Sequence, residues 1–219
     1  MSGEKDTSIE EMLGAVGASG PQLLSDEILV CPVCGRRTFR VKSYLYEVSY
    51  FGKLLITTGE CSSCGYKFRD IRLAEASEPR KITVRVEGER QLRYLLVKSA
   101  ASAVLIPERG YEMIPGPASM GFITTVEGIL HRFREVLEVA CKGGDADEEL
   151  CDAERRWIDR AIDGEERFTL VICDYEGGSA VKGEPEYVIE EPLDKLCLDK
   201  KPEWLDRYII RVDSGSTQR

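Results

Sequence analysis

The sequence predicts a mainly β chain with an α-helical insertion, and three observations carry that prediction. Cys31-Pro-Val-Cys34-Gly35 and Cys61-Ser-Ser-Cys64-Gly65 are matching turns separated by 26 residues, the mark of a four-cysteine ribbon. Stretches of apolar–polar alternation lie between these turns and recur after residue 79, with the two-residue period of half-buried strands. Between the later strands, apolar side chains recur three and four residues apart, which is the period of an amphipathic helix.

Residues 1–27 read as a flexible acidic leader: Ser8 and Glu11 suit a short capped helix, but Gly14, Gly17 and Gly20 interrupt it. The ribbon is expected over 28–78. Within it Tyr44, Tyr46, Val48 and Tyr50 alternate with Leu45, Glu47 and Ser49; Phe51-Gly52-Lys53 makes a turn, and 54–58 returns toward the second cysteine pair. A larger β-scaffold should occupy 79–200. Ile82, Val84 and Val86 mark one strand, the apolar stretch 92–106 holds another, and a short strand at 111–114 ends at Pro115-Gly116-Pro117. A helical hairpin interrupts the scaffold at about 124–164. Thr124-Thr125-Val126-Glu127 has the form of a capping box, with Thr124 at the N-cap and Glu127 reaching back. Val126, Ile129, Leu130, Phe133, Val136, Leu137 and Ala140 share a face, and Gly143 closes this helix. The second helix should run from about 147 to 163 with Leu150, Ala153, Trp157, Ile158 and Ala161 inward. Segments 168–173 and 187–189 return to β structure, and 201–219 reads as a loosely held tail, with Trp204 and Tyr208-Ile209-Ile210 as the residues able to dock.

Each Cys-x-x-Cys turn presents two sulfurs to one side of an ion, and Zn²⁺ prefers four such ligands in a tetrahedron. Glycine after the second cysteine permits the positive φ that curls backbone N–H groups toward the thiolates. Cys31, Cys34, Cys61 and Cys64 are therefore expected to bind one structural zinc ion; an iron–sulfur cluster and a disulfide pair are the alternatives. Four thiolates leave no open position for water, which argues for architecture rather than zinc catalysis. A module this short buries too little apolar surface alone, and metal ligation worth about 10–16 kcal/mol supplies the shortfall. Cys141, Cys151, Cys173 and Cys197 lack ligand spacing and read as reduced, buried or half-buried thiols.

Composition narrows the function. No apolar run reaches the roughly 18–20 residues of a membrane span, and the acidic start lacks the order of a signal peptide, so a cytoplasmic protein is expected. The net charge is −9, distributed as −5 over 1–28, +3 over 29–78 and −7 over 79–219. Zinc with four thiolates adds about −2 to the ribbon and leaves it near neutral. Nothing here builds the basic field that dominates nucleic-acid affinity, whereas an acidic body suits a protein partner with a basic face. The glycines of GAVGASG at 14–20 follow no strand, and no GxxxxGK[ST] loop exists, so the chain should not hydrolyse nucleotide.

Several segments together resemble the ZPR-type zinc-finger proteins: CPVCG at 31–35, YFGKLLI at 50–56, CSSCGY at 61–66, VKSA at 97–100, IPE at 106–108, IPGP at 114–117, GFITTVEGIL at 121–130 and DYEGGSA at 174–180. The similarity covers about 29–200 and resembles the single-unit archaeal form, since eukaryotic members carry two units in tandem. The resemblance implies a zinc ribbon followed by a double-stranded β-helix-like domain with a helical hairpin. It implies a non-enzymatic protein that binds translation elongation factor 1-alpha, as a chaperone or adaptor, and zinc-ligand roles for Cys31, Cys34, Cys61 and Cys64. The family loop Asp-Pro-x-Gly-Asn-Ser is here Asp174-Tyr175-Glu176-Gly177-Gly178-Ser179, and without Pro and Asn it is expected to be looser.

Candidate partner contacts follow, each beside a plainer reading. Phe51, Gly52 and Lys53 sit at a hairpin tip, where Phe51 either inserts into a partner or packs on its own sheet. Thr124, Thr125 and Glu127 form either a recognition site or a helix cap. Lys98 and Ser99 interrupt an apolar run and mark a bulge or a partner-facing edge, and Asp174, Gly177 and Ser179 belong to the family loop. His131 reads as a surface residue, and a single histidine makes cupin-type metal catalysis a poor reading. The alternative function is a nucleic-acid-associated zinc ribbon, with Arg36, Arg37, Arg40 and Lys42 as its cations and Tyr44, Tyr46 and Tyr50 as stacking platforms.

Overall fold

The computed structural model describes residues 20–75, 77–143 and 147–206. The ribbon is a four-stranded antiparallel sheet, β1 (Gln22–Leu29), β2 (Phe39–Val48), β3 (Gly52–Cys61) and β4 (Lys67–Leu73), in that spatial order. The scaffold holds β5 (Arg80–Val86), β6 (Leu95–Lys98), β7 (Ser102–Ile106), β8 (Tyr111–Met113), β9 (Phe122–Thr125), β10 (Phe168–Asp174), β11 (Ala180–Lys182) and β12 (Val188–Pro192). These form a five-stranded sheet, β12-β5-β10-β7-β8, and a three-stranded one, β11-β6-β9, with antiparallel pairing throughout. A short helix α1 (Glu89–Leu92) precedes β6; α2 (Val126–Ala140) and α3 (Glu148–Ile162) make the hairpin, and α4 (Lys195–Asp199) follows β12. No described helix is long and apolar enough to cross a membrane.

Strand alternation decides which residues meet. Ile82, Val84, Val86, Val104, Ile106, Leu170 and Ile172 turn one face of the five-stranded sheet toward Leu96, Val126, Ile129, Leu130, Phe133, Trp157 and Ile158. Their neighbours Ala103, Leu105, Val171 and Cys173 turn to the opposite face and pack with Tyr175, Cys197 and Leu205. On β6 the same period splits adjacent residues: Leu96 enters the scaffold core, whereas Val97 enters a second core with Tyr46, Val48, Leu54, Ile56 and Ile71 of the ribbon. The three-stranded sheet is thus shared, and one strand joins both modules through its two-residue period.

The described structure corrects several expectations. The leader does not extend to 27, because β1 pairs with β2 in a register from Gln22↔Leu45 to Leu29↔Phe39; residues 1–19 lie outside the described part. The stretch 92–106 is two strands in two sheets, separated by a turn closed by Ser102 N–H donating to the Ser99 carbonyl at 3.2 Å. Val136 and Ala140 on α2, and Leu150 and Ala153 on α3, face outward. In α3 Cys151 and Glu154 take the inward positions, Glu154 meeting Arg109 and Tyr111. The four thiols expected to be reduced instead form disulfides Cys141–Cys151 and Cys173–Cys197, with Cα separations of 6.0 and 5.3 Å. The first ties the end of α2 to the start of α3 and turns Cys151 rather than Leu150 toward the hairpin partner. Of the expected loose tail, Leu205 is buried and the Trp204 indole donates to the Pro115 carbonyl at 3.2 Å; 207–219 lie outside the described residues.

The helix cap shifts by one residue. Thr124 pairs with Leu96 in the sheet, and Thr125 is the N-cap of α2, its hydroxyl accepting from Gly128 N–H at 3.0 Å. Glu127 does not reach back; it faces His131 one turn on, at 3.6 Å. Thr125→Ala is expected to cost about 1 kcal/mol in urea unfolding, the usual effect of losing a hydroxyl cap. Thr124→Ala should cost less, and the reverse order would restore the expected capping box.

Candidate functional site

Two pseudo-symmetric knuckles close the far end of the ribbon. In the first, Gly35 N–H donates to the Cys31 carbonyl at 2.9 Å and Cys31 N–H to the Arg36 carbonyl at 2.8 Å. In the second, Gly65 N–H donates to the Cys61 carbonyl and Cys61 N–H to the Tyr66 carbonyl, each at 2.9 Å. Gly35 and Gly65 have φ of 69° and 72°, the left-handed conformation that only glycine adopts cheaply. Sequence reasoning missed Gly59 here: a Cβ on it would stand 2.3 Å from the Phe39 ring, which packs under the knuckles beside Tyr66.

The four sulfurs of Cys31, Cys34, Cys61 and Cys64 lie within 4.8 Å of one another, with Cys31–Cys64 and Cys34–Cys61 each at 3.7 Å. A tetrahedron of sulfurs about 2.3 Å from zinc has edges of about 3.8 Å, so the donor set fits that ion. Thr38, missed in the sequence, donates its hydroxyl to Cys61 Sγ at 3.2 Å. That bond, with the backbone N–H groups of Cys64 and Ser63, outweighs burial and draws the Cys61 thiol down to about 6. Thiolates this close repel unless a cation lies among them, which is the service a divalent ion renders here. Cys31, Cys34, Cys61 and Cys64 would hold it with no coordination position left for substrate.

The other candidate residues fall into three places. At the hairpin tip Gly52 has φ of 71°, and Phe51 is half-buried against the ribbon's apolar core; Lys53 is exposed. At the α2 start, Thr124, Thr125 and Glu127 serve pairing, capping and the His131 contact described above. The remaining five converge on a buried polar joint that also recruits Ser102. Asp174, fully buried, accepts from Ser179 N–H at 2.8 Å, Gly178 N–H at 3.3 Å and the Ser102 hydroxyl at 3.2 Å. The Ser102 oxygen lies 2.6 Å from those of both Ser99 and Ser179. Gly177 is pressed on Ser77 of the ribbon connection, whose N–H donates to the Gly177 carbonyl at 3.0 Å.

This geometry corrects two expectations. The 174–179 loop is not loose: its Gly178 and Ser179 N–H groups donate to the Asp174 carboxylate, and its Gly177 carbonyl accepts from Ser77 N–H. Ser99, Asp174 and Ser179 are at most 1% exposed, so their side chains mark an internal turn and not a partner-facing edge. Of the basic cluster, Arg40 makes a two-pronged pair with Asp26 at 2.7 and 2.6 Å, and Lys42 lies 4.0 Å from the same carboxylate. Tyr46 is buried, which removes one of the three stacking platforms.

Residues 90–202 match the family profile described as the ZPR1 jelly-roll domain. The chain is 37% identical over 174 residues to an uncharacterised ZPR1-like protein of Methanocaldococcus jannaschii, covering 77% of this chain and 88% of that one. A ZPR1-like protein of Pyrococcus horikoshii is 34% identical, with 70% and 72% covered. The zinc finger chaperone zpr1 of Schizosaccharomyces pombe is 30% identical over 71% of this chain but only 34% of its own length. With relatives named for zinc fingers and a donor set of this shape, the four-cysteine cluster is a structural zinc centre. The chain therefore belongs to the ZPR1 family, as a zinc ribbon joined to a ZPR1 jelly-roll domain.

Proposed function

We propose that the chain is a non-enzymatic, cytoplasmic chaperone or adaptor that binds translation elongation factor 1-alpha. Support comes from the name of the yeast relative, a zinc finger chaperone, and from the closed coordination shell of the metal centre. The observation that carries a protein-binding role is on the helical hairpin. Val136, Val139 and Leu150 stand 66%, 72% and 58% exposed, apolar side chains that the fold leaves uncovered. In this reading they are the face offered to the elongation factor. The Cys173–Cys197 bridge, both residues of which have no exposed surface, is sheltered there from thiol reductants.

The test is capture of purified elongation factor 1-alpha on the full chain, at low salt, with GTP and with GDP. Binding in at least one nucleotide state is expected, and Val139→Glu with Leu150→Glu should weaken it roughly tenfold or more, as losing a central apolar anchor does. Absence of capture in both states overturns the proposal. Capture that the double substitution leaves unchanged moves the interface off the hairpin.

A further inference from the structure

Buried Lys98 and exposed Arg132 are set apart from the partly buried cations of the scaffold. Arg80 pairs with Glu190, Lys81 with Glu191 and Asp194, and Arg109 with Glu154. Lys98 and Arg132 have no carboxylate within ion-pair distance among the described residues, although Lys98 is only 2% exposed. Its amino group donates to the Ser99 carbonyl at 2.9 Å, which occupies one of its three N–H groups. Burial draws that ammonium down to about 8, against the pull of Asp70 and Asp174. A lysine is almost never buried without a partner, because the desolvation cost is then uncompensated.

Both cations line the same opening. Lys98 on β6 pairs across the sheet with Phe122 on β9, and its Nζ lies 5.7 Å from the Phe122 ring centre. Arg132 on α2 lies over that ring at 4.0 Å. Together they flank a cleft of about 260 Å³ whose remaining wall is the 113–120 loop, with Met113, Ile114 and Met120. Ile114 and Met120 are 41% and 50% exposed, and the loop is anchored to the ribbon by Gly121 N–H donating to the Asp70 carboxylate at 3.0 Å. Sites for whole small-molecule ligands usually enclose about 300–1,000 Å³, so this cleft suits one or two side chains of a larger molecule. Two unneutralised cations beside thioether and aliphatic walls, on a chain of net charge −9, form a local island of the opposite sign.

We infer that this cleft is a docking site for an acidic–apolar peptide segment of a partner protein. One Asp or Glu of that segment meets Lys98 and Arg132, and its adjacent large apolar side chain seats on Met113, Ile114 and Met120. The site borders the hairpin face, since Arg132 stands one turn before Val136 on α2, but its test uses peptides alone and does not depend on the elongation-factor reading. Arginine supplies a planar fork for the carboxylate and lysine a point charge, and the apolar wall excludes water around both.

The test uses the full zinc-loaded chain on an array of twelve-residue peptides. Each carries Asp or Glu next to, or a few residues from, Leu, Ile, Met or Phe, beside a twin with Asn or Gln and a twin with Ala at the apolar position. Capture of acidic–apolar peptides, roughly tenfold weaker for either twin, is expected. Lys98→Met, which keeps a buried chain of similar length, and Arg132→Gln, which changes an exposed side chain, should each weaken the selected peptides about tenfold by fluorescence anisotropy. Three results overturn the proposal: no acidic–apolar peptide captured above its amide twin, capture unchanged by Arg132→Gln, or inorganic phosphate competing as tightly as the peptide, which makes it a free-anion site.

Discussion

Cys61→Ser is expected to abolish metal binding and to melt one end of the ribbon while the other end holds. Bound zinc should fall from about one per chain to none, and with it goes ligation worth about 10–16 kcal/mol. The knuckle end has little else: its buried cluster is Cys31, Phe39 and Cys61, with Val41, Tyr66 and Phe68 packed against it. The opposite end is sealed by Tyr46, Val48, Leu54, Ile56 and Ile71 on Val97 of the scaffold, apolar burial that does not depend on the ion. Hydrogen exchange read by mass spectrometry should therefore show amides at 31–39 and 61–68 losing protection. Those of Leu54, Ile56 and Ile71 should keep most of it, and those of β5 and β10 nearly all. Uniform loss through β5 and β10 would show that ribbon and scaffold unfold as one cooperative unit. Full retention at 31–39 would show that the knuckles need no metal.

The second large effect is at Gly177. Its φ is 69°, and a Cβ there would stand 1.7 Å from the Ser77 carbonyl oxygen and 2.4 Å from the Ser77 carbonyl carbon. Both are backbone atoms that cannot rotate away. The same contact carries the hydrogen bond from Ser77 N–H, and next to it Leu73 N–H donates to the Gly178 carbonyl at 2.9 Å. Gly177→Ala thus adds left-handed strain to a backbone collision at the seam of the two modules, and we expect a loss of about 3 kcal/mol or more in urea unfolding. Two controls separate the causes. Gly52→Ala meets the same strain in open space and should cost about 1–2 kcal/mol. Gly178→Ala has no left-handed φ, and its Cβ would lie 3.2 Å from the Cβ atoms of Arg72 and Ser99, so a smaller loss is expected. If Gly177→Ala costs no more than Gly52→Ala, the seam yields and the loop is as loose as its missing Pro and Asn suggested.

What could be read from the chain alone was whatever short-range chemistry already determines. The knuckles are local: two cysteines and a glycine within five residues dictate their own turn, and the metal needs nothing else but the second copy. β5 was legible because one face is buried and the other less so, which imposes period two on Ile82, Val84 and Val86, whereas β10, buried on both faces, showed as a short apolar run. β1 was not, because both of its faces are exposed and a bulge between Leu23 and Ser25 breaks its register. It exists through backbone bonds to β2, which leave no trace in side-chain pattern. The helical hairpin was legible in extent, but Leu150 and Ala153 were assigned inward because periodicity finds a stripe without knowing which edge of it a neighbour covers.

The rest was decided in three dimensions. Cys141 and Cys151, or Cys173 and Cys197, become partners only once α2, α3, β10 and α4 bring their Cα atoms within bonding reach, and no spacing rule encodes that approach. Lys98, a polar interruption in an apolar run, acquires its meaning when Phe122 and Arg132 arrive beside it from β9 and α2. Amino-acid order by itself determined the metal donors, the main strands and the two helices, since each is written in residues a few positions apart. Only the tertiary structure decided which cysteines bond, which apolar side chains remain uncovered and where a cation stands without a carboxylate partner, since these depend on how separate elements pack against one another.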